Sequence, residues 1–168
     1  MQLGEAILES WDRQVQIVNN IAALVTEENK NAVSAEGEWP LWQQLAHIHI
    51  VRWDWAGQID KAAVEGMPTL FWQEGEDWKL EPDLAKIKPA LAESARAVRQ
   101  IVETRPSDTD KAGPYDHSIL FLQHMIWHEG WHVGAIIRTF RAIGQELPDE
   151  WEEKNIWGLW RKEETQDS

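Results

Sequence analysis

Three of the six histidines in this chain, His124, His128 and His132, stand four residues apart, two more, His47 and His49, lie far upstream, and the sixth is His117. Imidazoles bind divalent transition metals at neutral pH, and two of them one helical turn apart can clamp one ion. At about 100° of rotation per residue, a step of four drifts only about 40°, so on a helix the three downstream imidazoles share one stripe. All three cannot reach a single ion, because a rise of about 1.5 Å per residue puts the outer two about 12 Å apart along the axis. A mononuclear site therefore takes two neighbours from this stripe and a third ligand from another helix, where His47 and His49 are the candidates. Three imidazoles with an open position suit zinc in a catalytic site, and nickel or iron in the same geometry. The competing reading is a set of core histidines hydrogen-bonded to backbone.

What must position these ligands is a set of long helices. Apolar residues recur at spacings of three and four, while β-branched and aromatic residues never alternate with polar ones over a useful stretch. The pattern predicts helices at about 3–28, 40–65, 82–105 and 116–143. The first carries Leu3, Ile7, Trp11, Val15, Val18, Ala22 and Val25 on one stripe. Pro40 opens the second and Gly66-Met67-Pro68 stops it. The third holds Pro89 and closes at Arg105-Pro106, and the fourth has Asp116 as its expected N-cap. Residues 69–81 read as a loop packed by Phe71, Trp72 and Trp78, and 145–168 as an acidic tail whose Trp151, Trp157 and Trp160 lie across the helices or a partner subunit. The expected architecture is all-α: one domain over 1–168, a four-helix bundle with a Trp-rich C-terminal tail packed on it.

Composition narrows the function. The 168 residues contain 29 acids and 16 bases, a formal charge of −13, which repels phosphate backbones and anionic membrane surfaces and disfavours nucleic-acid and membrane partners. With no cysteine, disulfides, thiolate catalysis and Cys-ligated zinc are all excluded, and metal chemistry falls to His and carboxylates. No apolar run approaches a membrane span, and Met1-Gln2-Leu3-Gly4-Glu5 does not read as a leader, so the expected location is cytoplasmic.

The segment His128-Glu129-Gly130-Trp131-His132 also fits the His-Glu-x-x-His pattern of zinc proteases. The glycine and third histidine of the extended pattern do not follow, and the chain offers no sheet to order a peptide, so protease chemistry is disfavoured. Glu129 and Asp54 are the acids nearest the candidate ligands, able to orient an imidazole or act as a base, with a solvated helix acid as the alternative for each. His124 is a candidate for supporting the ligands from behind, and His117 reads as structural or exposed. Gly130 and Gly134 would permit close helix approach. Of 12 tryptophans, Trp53, Trp55, Trp127 and Trp131 flank the histidine segments, as packing or as an aromatic wall around a ligand.

These motifs resemble the DinB/YfiT-like (DNA-damage-inducible) metal-binding four-helix bundles. In that family the second helix opens with Trp, often followed by Ser or Pro, and a histidine ligand follows eight residues later, as in Trp39-Pro40-Leu41-Trp42-Gln43-Gln44-Leu45-Ala46-His47-Ile48. The fourth helix carries His-x-x-x-His-x-x-x-His-Arg-Gly-Gln, against His124 to Ala135 here, with Val133 and Ala135 in place of the Arg and Gln. The resemblance implies His47, His128 and His132 as ligands. A helical wheel instead puts His49, not His47, on the apolar face with Trp42, Leu45, Ala46 and Trp53. The resemblance further implies an up-up-down-down bundle, often a homodimer, binding zinc or nickel. It also implies a metal-dependent transferase acting on a small molecule with an external low-molecular-weight thiol such as mycothiol or bacillithiol. A metal-dependent hydrolase, or a non-catalytic stress-related binding module, are the alternatives.

Overall fold

Apolar residues at helical spacing make each long segment one-sided, and the computed structural model, which describes residues 3–105 and 111–161, shows how those sides meet. Pro106 and tail residues 162–168 lie outside the described residues. Four long helices dominate: α1 (Leu3–Leu24), α2 (Leu41–Ile59), α3 (Leu84–Thr104) and α4 (Ser118–Ala142). A short α5 (Asp149–Asn155) follows. Both α1 and α2 pack on α3 and on α4.

Side chains set the helix ends, and several differ from the sequence expectation. α1 stops at Leu24 rather than near 28, because Asn29 folds back: its Nδ2 donates to the Leu24 carbonyl (3.0 Å) and its Oδ1 accepts from Thr26 N (2.8 Å). α2 stops at Ile59, where the Asp60 carboxylate accepts from Ala62 N (3.0 Å) and starts a 3-10 turn over Lys61–Val64. Asp83 caps α3 by accepting from Ala85 N (2.8 Å), and Pro89 lies inside this helix. His117, not Asp116, is the N-cap of α4, its Nδ1 accepting from Leu120 N at 3.4 Å.

The stretch expected as a loop forms a hairpin, β1 (Phe71–Glu74) paired antiparallel with β2 (Asp77–Leu80). Glu74 pairs with Asp77, so the loop is Gly75-Glu76, with positive φ at Gly75 (64°) and not at Glu76. That is the II′ pattern, which suits the twist of a hairpin. The tail is attached to α1: Ile156 is buried, Trp151 is half-buried, Asn20 Nδ2 donates to the Asn155 carbonyl (3.0 Å), and Arg13 donates to the Leu159 carbonyl. Trp157 and Trp160 remain exposed on this chain, so of the three tail indoles Trp151 is the one packed on the helices.

Buried apolar side chains fall into two clusters. One holds Ile17, Ile21, Leu41, Leu45, Ile48, Leu91, Val133 and Phe140, and the other holds Trp11, Ala56, Ala95, Val98, Phe121, Leu122 and Met125. Between them in sequence, on each helix in turn, come Gln14, Arg52, Ser94 and Glu129, all buried. Arg52 Nε meets Glu129 Oε1 at 2.6 Å, Arg52 Nη1 donates to the Leu91 carbonyl (2.9 Å), and Gln14 Nε2 donates to Glu129 Oε2 (3.2 Å). The guanidinium also lies 5.1 Å from the Trp11 ring centre. Removing one member of such a pair strands a charge, whereas replacing both by apolar groups of similar volume does not. Glu129→Leu is expected to lower unfolding free energy by about 3–5 kcal/mol in urea titration, and Arg52→Met in the same chain to recover most of the loss.

Candidate metal centre

α2 and α4 lie side by side, which brings His47 to the His128–His132 pair. One ligand nitrogen from each of these three lies within 4.8 Å of the others. The ring centres of His47 are 5.2 Å from His128 and 5.1 Å from His132, and His128 and His132 are 4.6 Å apart. The Nε2 atoms of His128 and His132 stand 3.2 Å apart. A tetrahedral zinc with Zn–N bonds of about 2.0–2.1 Å would hold its nitrogens roughly 3.3 Å apart, so this pair already has the required separation. The donor set, three imidazoles from two rigid helices, fits a borderline divalent ion.

Gln44, which the sequence reading passed over, explains how one imidazole is oriented. Its Nε2 donates to the Trp39 carbonyl (3.4 Å), which leaves its Oε1 to accept from His132 Nδ1. His132 Nδ1 therefore carries the proton, and the Nε2 lone pair points to His128 and His47. A glutamine three residues before the ligand on α2, in reach of the cluster, was the available signal. Trp39 adds an edge contact to His47 (4.9 Å between ring centres) and stacks on His132 (6.3 Å).

Burial keeps these imidazoles neutral. It pushes His128 down to about 4, and the repulsion that its charged form would meet from His47, His124 and Arg52 adds to the effect. His132 falls to about 3 through burial and the neighbouring His128 and His47, and burial lowers His47 as well. A neutral imidazole has a lone pair to give, so all three can serve a metal at neutral pH.

The other candidates lie elsewhere. His49 is fully buried with its Nδ1 2.8 Å from the Ala90 carbonyl and its Nε2 2.7 Å from the Pro68 carbonyl, so neither nitrogen faces the cluster. Burial lowers its pKa, and those two carbonyls partly offset the effect. Glu129 is not a solvated acid: it is fully buried against Arg52. Asp54 is exposed and accepts from Gln58 Nε2 at 3.1 Å. His124 stands one turn from His128 (6.5 Å between ring centres), and its Nδ1 is 2.7 Å from the Tyr115 hydroxyl. Burial and the charge of Asp54 push Tyr115 up to about 12, so its O–H stays on as a donor.

The three histidines face a cavity of about 620 Å³ lined also by Glu38, Trp39, Gln44, Trp127, Trp131 and Arg138. Trp127 and Trp131 are 72% and 58% exposed, too open for core packing, and they form its aromatic wall. Arg138 meets Glu38 at 3.3 Å among the lining residues. Neither Asp54 nor Glu129 is part of this lining.

The family model for the DinB superfamily matches residues 6–136, from α1 through most of α4, with all three clustered histidines inside the match. The chain belongs to the DinB superfamily. No curated protein and no solved structure matches it. Among the described residues, no helix of this DinB superfamily member is long and apolar enough to cross a membrane.

Two measurements test the centre. Gln44→Leu frees His132 to turn and is expected to weaken zinc binding about 10–100-fold in competition with a chelating dye. For the metal-free chain, His128 and His132 have folded pKa values near 4 and 3, below the ordinary 6.5, so between these limits the unfolded chain binds more protons. Their contribution to stability is complete above the ordinary value and is lost as pH falls through the folded ones. The urea midpoint should therefore drop between pH 7 and pH 4 by less in His128→Gln/His132→Gln than in the parent.

Proposed function

We propose that this chain binds a divalent ion, zinc or nickel, through His47, His128 and His132. We propose further that it transfers an external low-molecular-weight thiol to a small electrophilic molecule. The observation that carries the reading is the cluster of three neutral imidazoles opening on a cavity large enough for a small molecule. His47, His128 and His132 would hold the ion, which would supply the Lewis acidity that favours the thiolate form of an added thiol at neutral pH.

The chain's own residues supply orientation and surroundings. Gln44 holds His132 in one tautomer, and Trp39 braces His47 and His132. Trp127 and Trp131 narrow the space beside the histidines and reduce the water around a reacting sulfur. Arg138 and Glu38 offer a charge of each sign to a polar thiol. The thiol's proton leaves to water through the open side, because the carboxylate in the lining, Glu38, is paired with Arg138. The sulfur must come from outside, because the chain has no cysteine.

Untagged protein purified from zinc- and nickel-replete cells is expected to carry close to one ion per chain, and the His47→Ala/His128→Ala/His132→Ala variant almost none. Conjugation of 1-chloro-2,4-dinitrobenzene with a panel of thiols should require that ion. A metal-free parent protein sinks the centre. A metal-loaded protein inert with every thiol but active on an ester replaces transfer by hydrolysis.

A further inference from the structure

Directly paired residues of an antiparallel hairpin share a face, and here Phe71 pairs with Leu80 and Gln73 with Trp78. Phe71, Trp78 and Leu80 therefore form one apolar face, and it turns toward α2, where Phe71 meets Trp53 edge-on at 5.7 Å. Trp78 contacts Phe71 at 5.5 Å, yet it is 65% exposed. An indole on the inner face of a hairpin should be covered by the helix beneath it. Beneath it instead is a groove of about 250 Å³, lined by His47, Ile50, Phe71, Trp78 and Leu80.

His47 is the one polar side chain in that lining, and it also lines the 620 Å³ cavity. One imidazole is thus a shared wall between two spaces of different character. The larger holds Glu38, Gln44 and Arg138 among its indoles and can satisfy a polar, charged molecule. The groove offers no charged side chain and so disfavours a charged group, whose burial without a partner is costly.

We infer that the hairpin groove is a binding subsite for the apolar group, an aryl ring or short alkyl chain, of the small molecule that reacts beside His47. This rests on the proposed metal-dependent transfer for the identity of the reacting molecule, but not for the existence of the subsite. A dry apolar cavity of about 150 Å³ takes a benzene ring, so the groove has room for a ring with a short arm. Its occupant is joined to the reaction through His47, and occupation covers the indole of Trp78. The hairpin then selects substrates by the size of their apolar group, while the thiol is held on the other side of His47.

The subsite is tested first without metal. Titration of the chain, with its indole nitrogens labelled, by 2-phenylethanol should shift the Trp78 N–H resonance saturably and leave those of Trp127 and Trp131 in place. Ile50→Trp, which fills the groove, should abolish the shift, and Trp78→Ala should remove the binding seen by calorimetry. Shifts at Trp127 and Trp131 in place of Trp78, or none, overturn the subsite. The chain is then titrated calorimetrically with benzyl alcohol, 2-phenylethanol and 3-phenyl-1-propanol. Affinity should rise about fourfold per methylene, the factor to which about 0.8 kcal/mol converts, and Trp72→Ala on the outer face of the hairpin should keep that slope. A flat series, or a slope that survives in Ile50→Trp, overturns the subsite. If the metal-loaded chain conjugates no thiol while the Trp78 shift persists, the transfer reading falls and the subsite stands.

Discussion

A buried ion pair between Arg52 of α2 and Glu129 of α4 sets the geometry on which the centre depends. Both side chains are removed from water, so each must find its partners inside, and they find them on all four long helices: Gln14 and Trp11 on α1, the Leu91 carbonyl on α3, and each other. Two apolar clusters alone would tolerate several rotations of α2 against α4, since Leu, Ile and Val pack in many ways. A charged pair tolerates very few. Turning either helix by one residue, about 100°, would separate the guanidinium from the carboxylate and move His47 away from His128 and His132 at the same time.

The centre uses that fixed geometry with few further devices. Glu129 directly follows His128 in the chain but points into the core, so one segment of α4 serves packing on one side and ligation on the other. Burial suppresses protonation of the imidazoles, and Gln44 directs the lone pair of His132. The Nε2 atoms of His128 and His132 stand at the separation two ligands of one ion require.

The parts of this site legible in the sequence are those set by local periodicity. Four-residue spacing of His128 and His132 is enough to place them on one helix face, and the apolar pattern is enough to find the long helices. The third ligand was harder. A helical wheel selects the apolar face, and His49 does lie there, but an apolar face makes a histidine a core residue bonded to carbonyls. The candidate ligand that joins the pair, His47, lies on a half-buried edge. Glu129 was misread as a candidate solvated acid because its partner, Arg52, lies 77 positions away and no local pattern links them. Residues 71–80 gave no strand signal because each strand is only four residues long and Trp72 interrupts the alternation. The helix ends shifted wherever one polar side chain, Asn29, Asp60 or His117, bonded a backbone group that periodicity does not see.

The three histidines of the candidate centre come from α2 and α4, and Gln44 is held by a main-chain carbonyl. α3 supports the layer beneath through the carbonyls of Ala90, Leu91 and Ala95, which are present whatever side chains those positions carry. Outside Trp11 and Gln14, α1 and α3 need only present an apolar face of the right width. The evolutionary consequence is that most of the chain can drift, residue by residue, without disturbing the ligands. Descendants of such a chain can lose overall sequence likeness long before they lose the chemistry, and kinship within the fold is then recorded by a handful of positions on two helices.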